Sequence, residues 1–171
     1  TALAAYARAT LRAPQACGLG WTTLAALRWV ESQHGTLGGR ILGLDGVSSQ
    51  PVLGPALDGA AGFRAIPASR RGTALHGDAR WDHALGPMQF ITSTWQQWGA
   101  DGDGDGSRDP QDVDDAAWAA ARYLCADGHD LGGGAGWSAA IYSYNRSQAY
   151  LDSIYATASE YAARVGGRSA G

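Results

Sequence analysis

The 171-residue chain is 45% hydrophobic and 17% charged, a balance that suits a globular domain with a sizeable core and excludes a disordered one. A net charge of −3 and a pI of about 5.7 offer no basic face to nucleic acid or to an acidic membrane surface, and no run of 18 apolar residues suggests a transmembrane helix. All 13 basic residues are arginine, which with the heavy Ala and Gly usage fits a GC-rich genome.

Residues 2 to 12, rich in Ala and Leu, read as a helix, and Thr1 opens directly into that pattern with no leader-like segment. Pro14 to Gly20 breaks it. Thr22 or Thr23 is placed to cap a second helix running to about His34. From Gly35 to about Asp82 the chain is irregular and dense in Gly, Pro, Ser and Asp. Its short apolar pieces (RILGL, PVLGPALDG, FRAI) suit small strands or turns. A stretch of this length in a compact domain suits a cleft wall or lid. Helices resume after Pro87: ITSTWQQWG offers Thr92 or Ser93 as a cap and Gly99 as a stop. Asp112 caps the next helix, with Asp114 and Asp115 in its first turn, and that helix ends near Cys125. GWSAAIYSYN is a short helix, Ser147 caps a last one to about Arg164, and a Gly-rich tail follows Val165. The expectation is one mostly α domain over residues 1–171.

Glu31 is the first residue whose position asks for chemistry. Leu24, Leu27 and Glu31 follow one another at helical spacings of three and four, so Glu31 shares the inward stripe while Arg28 and Gln33 lie off it. Burial disfavours the charged carboxylate and raises its pKa, which is what a general acid working near neutral pH needs. The plainer alternative is a solvated Glu at the edge of the stripe. Gln89 raises a similar choice: set between Met88 and Phe90 just after Gly86-Pro87, its amide bonds either backbone or a polar ligand.

The segment DGDGDGSRDPQD, residues 101–112, fits an EF-hand calcium loop in one frame. Asp101, Asp103 and Asp105 take positions one, three and five, Gly106 the turn, Ser107 the carbonyl position, and Asp109 and Asp112 positions nine and twelve. Asp112 stands where a Glu is usual. Hard oxygen donors favour Ca²⁺ over a transition metal; the other reading is an Asp/Gly surface turn without an ion. Cys17 and Cys125 are, from spacing alone, either two buried thiols or one disulfide worth on the order of 4 to 5 kcal/mol.

Taken in order, Glu31-Ser32, Gly86 to Phe90, Ser93 to Trp95, the loop from Asp101 to Asp112, and Tyr144-Asn145 make the chain resemble lytic murein transglycosylases of the membrane-bound B type, especially their actinobacterial relatives. The resemblance runs from about Cys17 to Tyr161. It implies a goose-lysozyme-like α fold and cleavage of peptidoglycan between N-acetylmuramic acid and N-acetylglucosamine to give 1,6-anhydromuramic ends. It implies Glu31 as the catalytic acid, Gln89, Tyr144 and Asn145 at the sugar, and Ser32 positioning the acid; the Ca²⁺ read from the loop's own spacing would be structural. Two departures stand out: Arg146 follows Asn145 where relatives often have His, and IPASRRG replaces an acidic turn.

A lysozyme-like muramidase acting on the same bond is the nearest alternative. It needs a second carboxylate, for which Asp58, Asp78 and Asp82 are the candidates. A non-catalytic cell-wall glycan-binding module is the alternative from a different class. Peptidoglycan as substrate implies an exported protein, and an oxidising setting favours a Cys17–Cys125 disulfide; a monomer without a nucleic-acid partner is expected.

Overall fold

The computed structural model describes residues 1–62 and 64–166. Phe63 of the FRAI piece and the end of the Gly-rich tail lie outside the described residues. Among those described, seven α-helices surround one hydrophobic core, and a small two-stranded sheet lies to one side.

Helix α1 (Ala2–Arg12) buries Ala5, Tyr6 and Ala9, a single narrow face. After a 3₁₀ turn at Gln15–Cys17, α2 spans Trp21–Ser32. Its N-cap is Gly20, so Thr22 and Thr23 fall inside the first turn; Thr23 Oγ1 instead accepts a hydrogen bond from Trp137 Nε1 at 3.0 Å. The helix stops two residues earlier than the pattern suggests because Gln33 and His34 both turn left-handed, at φ 50° and 60°.

Arg28 overturns the expectation that it lies off the inward face, since none of it is exposed. Leu24, Leu27 and Arg28 are all covered, because α1 closes over the side of α2 that the stripe left open. The guanidinium donates from Nη1 to Tyr6 Oη at 3.3 Å. Tyr6 bonds His34 Nδ1 and His34 Nε2 bonds Tyr161 Oη, each at 2.8 Å.

The irregular segment holds β1 (Leu53–Ala56), which pairs antiparallel with β2 (His83–Leu85) through Leu53–Leu85 and Ala56–His83. It also holds a helix with no counterpart in the sequence reading, α3 (Arg70–His76), started by Ser69, whose Oγ accepts the Gly72 N–H at 3.0 Å. α4 (Thr92–Trp98) ends at Gly99 as expected, but it starts on a remote carboxylate and not on Thr92 or Ser93 as a cap. Asp82 accepts from Thr92 N at 3.1 Å and from Thr92 Oγ1 at 2.5 Å, and pairs with buried His76 at 3.2 Å, joining α3 to α4.

α5 (Val113–Leu124) is the central helix. Nine of its residues are buried, and five of those are alanines between 116 and 121, whose small side chains let neighbours pack close on several sides. α6 (Gly134–Tyr144) and α7 (Gln148–Gly166) complete the bundle, and α7 lies along α2. Ser147 caps α7 as expected, its Oγ accepting from Tyr150 N at 3.3 Å. Cys17 and Cys125 form a disulfide that ties the α1–α2 junction to the end of α5 across 108 residues of sequence. Among the described residues no helix is long and apolar enough to cross a membrane.

Candidate active site

The last turn of α2 carries Glu31 to the place where α2 meets the start of α7. The side chain is only partly exposed, and burial raises its pKa from 4.5 to about 7, opposed by a 2.5 Å hydrogen bond that Tyr150 Oη donates to Oε1. No guanidinium pairs with it among the described residues. The result is a carboxyl that exchanges its proton near neutral pH.

Tyr150 was not singled out in the sequence. Its signal is the inward stripe of α7, where Tyr150 and Ile154 are four apart: a phenol on a buried stripe needs a partner for its hydroxyl, and Glu31 is the carboxylate placed to be one. Burial and the nearby Glu31 both push the Tyr150 hydroxyl far above its ordinary pKa, so it remains a donor.

Ser32, next in the chain, is buried and fully used. Its Oγ donates to Pro87 O at 2.8 Å and accepts from Gly35 N at 2.9 Å. That fixes the last turn of α2 against the turn that carries Gln89. Gln89 itself stands at φ 52°, a left-handed backbone that few side chains adopt, and its Nε2 donates to Gly86 O at 2.9 Å. Its Oε1 lies over Gly54 of β1, so close that a Cβ there would come within 2.8 Å.

Gly86, at φ 68°, is in turn pressed against Pro110 of the Asp-rich loop; a Cβ built there would fall 1.6 Å from the Pro110 carbonyl oxygen. Tyr144 closes the other side, with its Oη donating to Met88 O at 2.8 Å. Burial, and then the charge on Glu31, raise the Tyr144 pKa well above its usual value. Gln89 and Tyr144, with Phe90, Ile91, Thr94, Tyr123 and Ser143, line a groove of about 280 Å³. Asn145 follows at the end of α6, exposed and extended, with its carbonyl accepting Ser147 N at 2.8 Å.

The three aspartates considered as second carboxylates are all occupied elsewhere. Asp82 holds the start of α4. Asp78 accepts from Arg80 N at 2.7 Å and from Trp81 N at 3.1 Å and pairs with His83 at 3.1 Å, bonds that hold it down to about 2. Asp58 caps a turn at Ala60 N, 2.8 Å away.

In the Asp-rich loop, the carboxylates that converge are those of Asp101, Asp103 and Asp115, with oxygens within 4.8 Å of one another. Asp112 is not among them. Its Oδ1 caps α5, accepting from Asp114 N at 2.7 Å and Asp115 N at 3.2 Å. Asp115, one turn further on, is the third of the convergent group: it is 2% exposed, burial raises its pKa to about 6, and it accepts from Gly102 N at 2.6 Å and Asp109 N at 2.7 Å. Asp105 and Asp109 spend an oxygen each on Ser107 N and Gln111 N, at 2.7 and 2.8 Å, and Ser107 is exposed.

A family model described as Transglycosylase SLT domain matches residues 68–139. The match supports a lytic transglycosylase-type domain, with peptidoglycan as the implied substrate, and the mostly helical architecture is consistent with a lysozyme-like transglycosylase domain. The matched stretch includes Gln89 and the Asp-rich loop, whereas Glu31, Tyr144, Asn145 and Tyr150 lie outside it. No curated protein and no solved structure matches the chain.

Proposed function

We propose that the protein is a lytic transglycosylase of the membrane-bound B type, acting outside the cytoplasmic membrane on the bond between N-acetylmuramic acid and N-acetylglucosamine. The observation that carries this reading is Glu31, a carboxyl raised to about 7 by burial, bonded by Tyr150 and close enough to Tyr144 for its charge to raise that hydroxyl's pKa.

Glu31 begins protonated and gives its proton to the glycosidic oxygen as the bond to muramic C1 breaks. N-acetylglucosamine leaves with a new hydroxyl. The positive charge that develops at C1 is met by the substrate's own acetamido group, and Asn145, next in the chain after Tyr144, is proposed to hold that group. Glu31, now ionised and still bonded to Tyr150, takes the proton of the muramic C6 hydroxyl while that oxygen bonds to C1. The product is a 1,6-anhydro sugar, the carboxyl is protonated again, and no water is consumed. Tyr150 favours the ionised half of this cycle and burial favours the protonated half, so the two hold the acid near the middle of its range. The single-carboxylate scheme is favoured over hydrolysis because Asp58, Asp78 and Asp82 are each bonded to their own local partners.

A Ca²⁺ ion is proposed for the Asp-rich loop, held by Asp101, Asp103 and Asp115. The donor set fits it: all ligands are carboxylate oxygens, and a buried Asp115 among other carboxylates is costly without a cation. The ion would supply charge neutralisation and a fixed loop shape.

Digestion of purified peptidoglycan followed by mass spectrometry tests the proposal. Products ending in 1,6-anhydromuramic acid are expected from the parent protein and none from Glu31→Gln. Reducing muramic ends in place of anhydro ends would transfer the reading to a muramidase.

A further inference from the structure

The residues of SRRG that replaced an expected acidic turn have no part in the cleavage just described. Arg71, from that stretch, and Arg108, from the Asp-rich loop, stand on one depression of about 270 Å³ between α3 and α4. Ala74 and Leu75 on α3 and Trp95 on α4 make its apolar side, with Gln96 and Gly99 completing the lining. Leu75 remains 40% exposed there. The depression is separate from the Gln89–Tyr144 groove. The Trp95 ring lies 5.9 Å from Phe90, Phe90 lies 5.7 Å from Tyr144, and this aromatic row divides the two. Thr94 lines the groove and Trp95 the depression, so the two lie on neighbouring faces of α4.

Neither guanidinium pairs with a carboxylate among the described residues, although Arg108 is surrounded in sequence by aspartates. Two uncompensated guanidinium forks over an apolar floor, on a chain of net charge −3, select an anion that carries a small aliphatic group. A carboxylate is the matching acceptor for such forks, and a methyl-sized side chain suits a floor of Ala74, Leu75 and Trp95.

We infer that the α3–α4 depression is a binding site for the carboxylate end of a short peptide, with Arg71 and Arg108 holding the carboxylate and Leu75 and Trp95 the adjacent side chain. Resting on the peptidoglycan reading above, the peptide is the stem carried by muramic acid, and the site recognises strands by their peptides while Glu31 acts on their sugars.

Two measurements test the site separately from the chemistry. In the first, isotopically labelled protein is titrated with a free pentapeptide ending in two D-alanines, and the Trp95 indole N–H is followed by NMR. A saturable shift is expected, lost in Arg71→Ala/Arg108→Ala and lost when the peptide is amidated at its C-terminus. Absence of any shift, or an equal shift with the amidated peptide, overturns the proposal. A stronger response to inorganic phosphate than to the peptide also overturns it, in favour of a phosphate-bearing polymer. In the second, cleavage of peptide-bearing strands is compared with cleavage of strands stripped of peptide. The double variant is expected to raise KM roughly tenfold or more on the first substrate and to leave the second unchanged. An equal effect on both overturns the assignment. If the parent protein cleaves neither substrate, the peptidoglycan reading fails, and the NMR titration still decides whether the depression binds a peptide carboxylate.

Discussion

The molecule handles carboxylates in two opposite ways. At the end of α2 one carboxylate is taken partly out of water with a single phenol for company, and its pKa rises to about 7. In the loop before α5 many carboxylates are gathered at the surface, and backbone N–H groups supply most of their bonds, as Gly104 N does for Asp101 at 2.6 Å. The first arrangement stores a proton that can be given away. The second gathers negative charge against backbone N–H groups, and among its buried members burial raises both Asp112 and Asp115, the latter to about 6. Acidity near neutral pH comes from isolation and not from number.

Breaking the first arrangement has the largest expected effect. Glu31→Gln should lower peptidoglycan cleavage by roughly 10²–10⁴-fold, the usual worth of a general acid, with circular dichroism unchanged. The same variant separates stability from function. Because the folded-state pKa of Glu31 is raised, from 4.5 to about 7, the protein is helped most below pH 4.5, and stability declines as pH rises to 7. Above pH 7 the buried charge is a constant cost of at most roughly 3 kcal/mol. Glu31→Gln should therefore be more stable than the parent at pH 8 and equal to it at pH 4, measured by denaturant unfolding.

Breaking the second arrangement should show in melting and not in proton transfer. Ca²⁺ at a hundredfold excess over its Kd is expected to stabilise the fold by about 2.7 kcal/mol, or about 5–10 °C in Tm against a chelator control. Asp115→Asn should abolish that difference in calorimetry, and Asp112→Asn should weaken it less, by fraying α5. The smallest effect sharpens the first site. Tyr150→Phe removes a donor to the ionised carboxylate, so the alkaline limb of the pH–rate profile should move up from 7 by about one unit. An unshifted limb would mean that Tyr150 does not bear on the proton.

Much of this was readable from residue patterns, and the failures have definite causes. α1, α5, the stop at Gly99 and the cap at Ser147 follow from periodicity and local capping, which need no tertiary partner. Cap rules failed at α4 because its cap is Asp82, ten residues back in sequence and brought there by β2. α3 escaped notice because seven residues give too little periodicity to stand out from a turn-rich segment. Arg28 was misplaced because a helix with two covered faces buries a cation that a single-stripe argument leaves outside. At the site, Glu31, Ser32, Gln89 and Tyr144 were legible through spacing and resemblance. Tyr150 and Asp115 were not, since each is recruited by a neighbour distant in sequence or by the turn geometry of the loop.

The contact of Gly86 with Pro110 gives the two regions a mechanical link. The turn presenting the Gln89 amide rests directly on the acidic loop, with no room between them even for a methyl group. Any change in the loop's shape at Pro110 is therefore passed directly to the Gly86 turn and the Gln89 backbone, and Gly86→Ala would wedge the two apart.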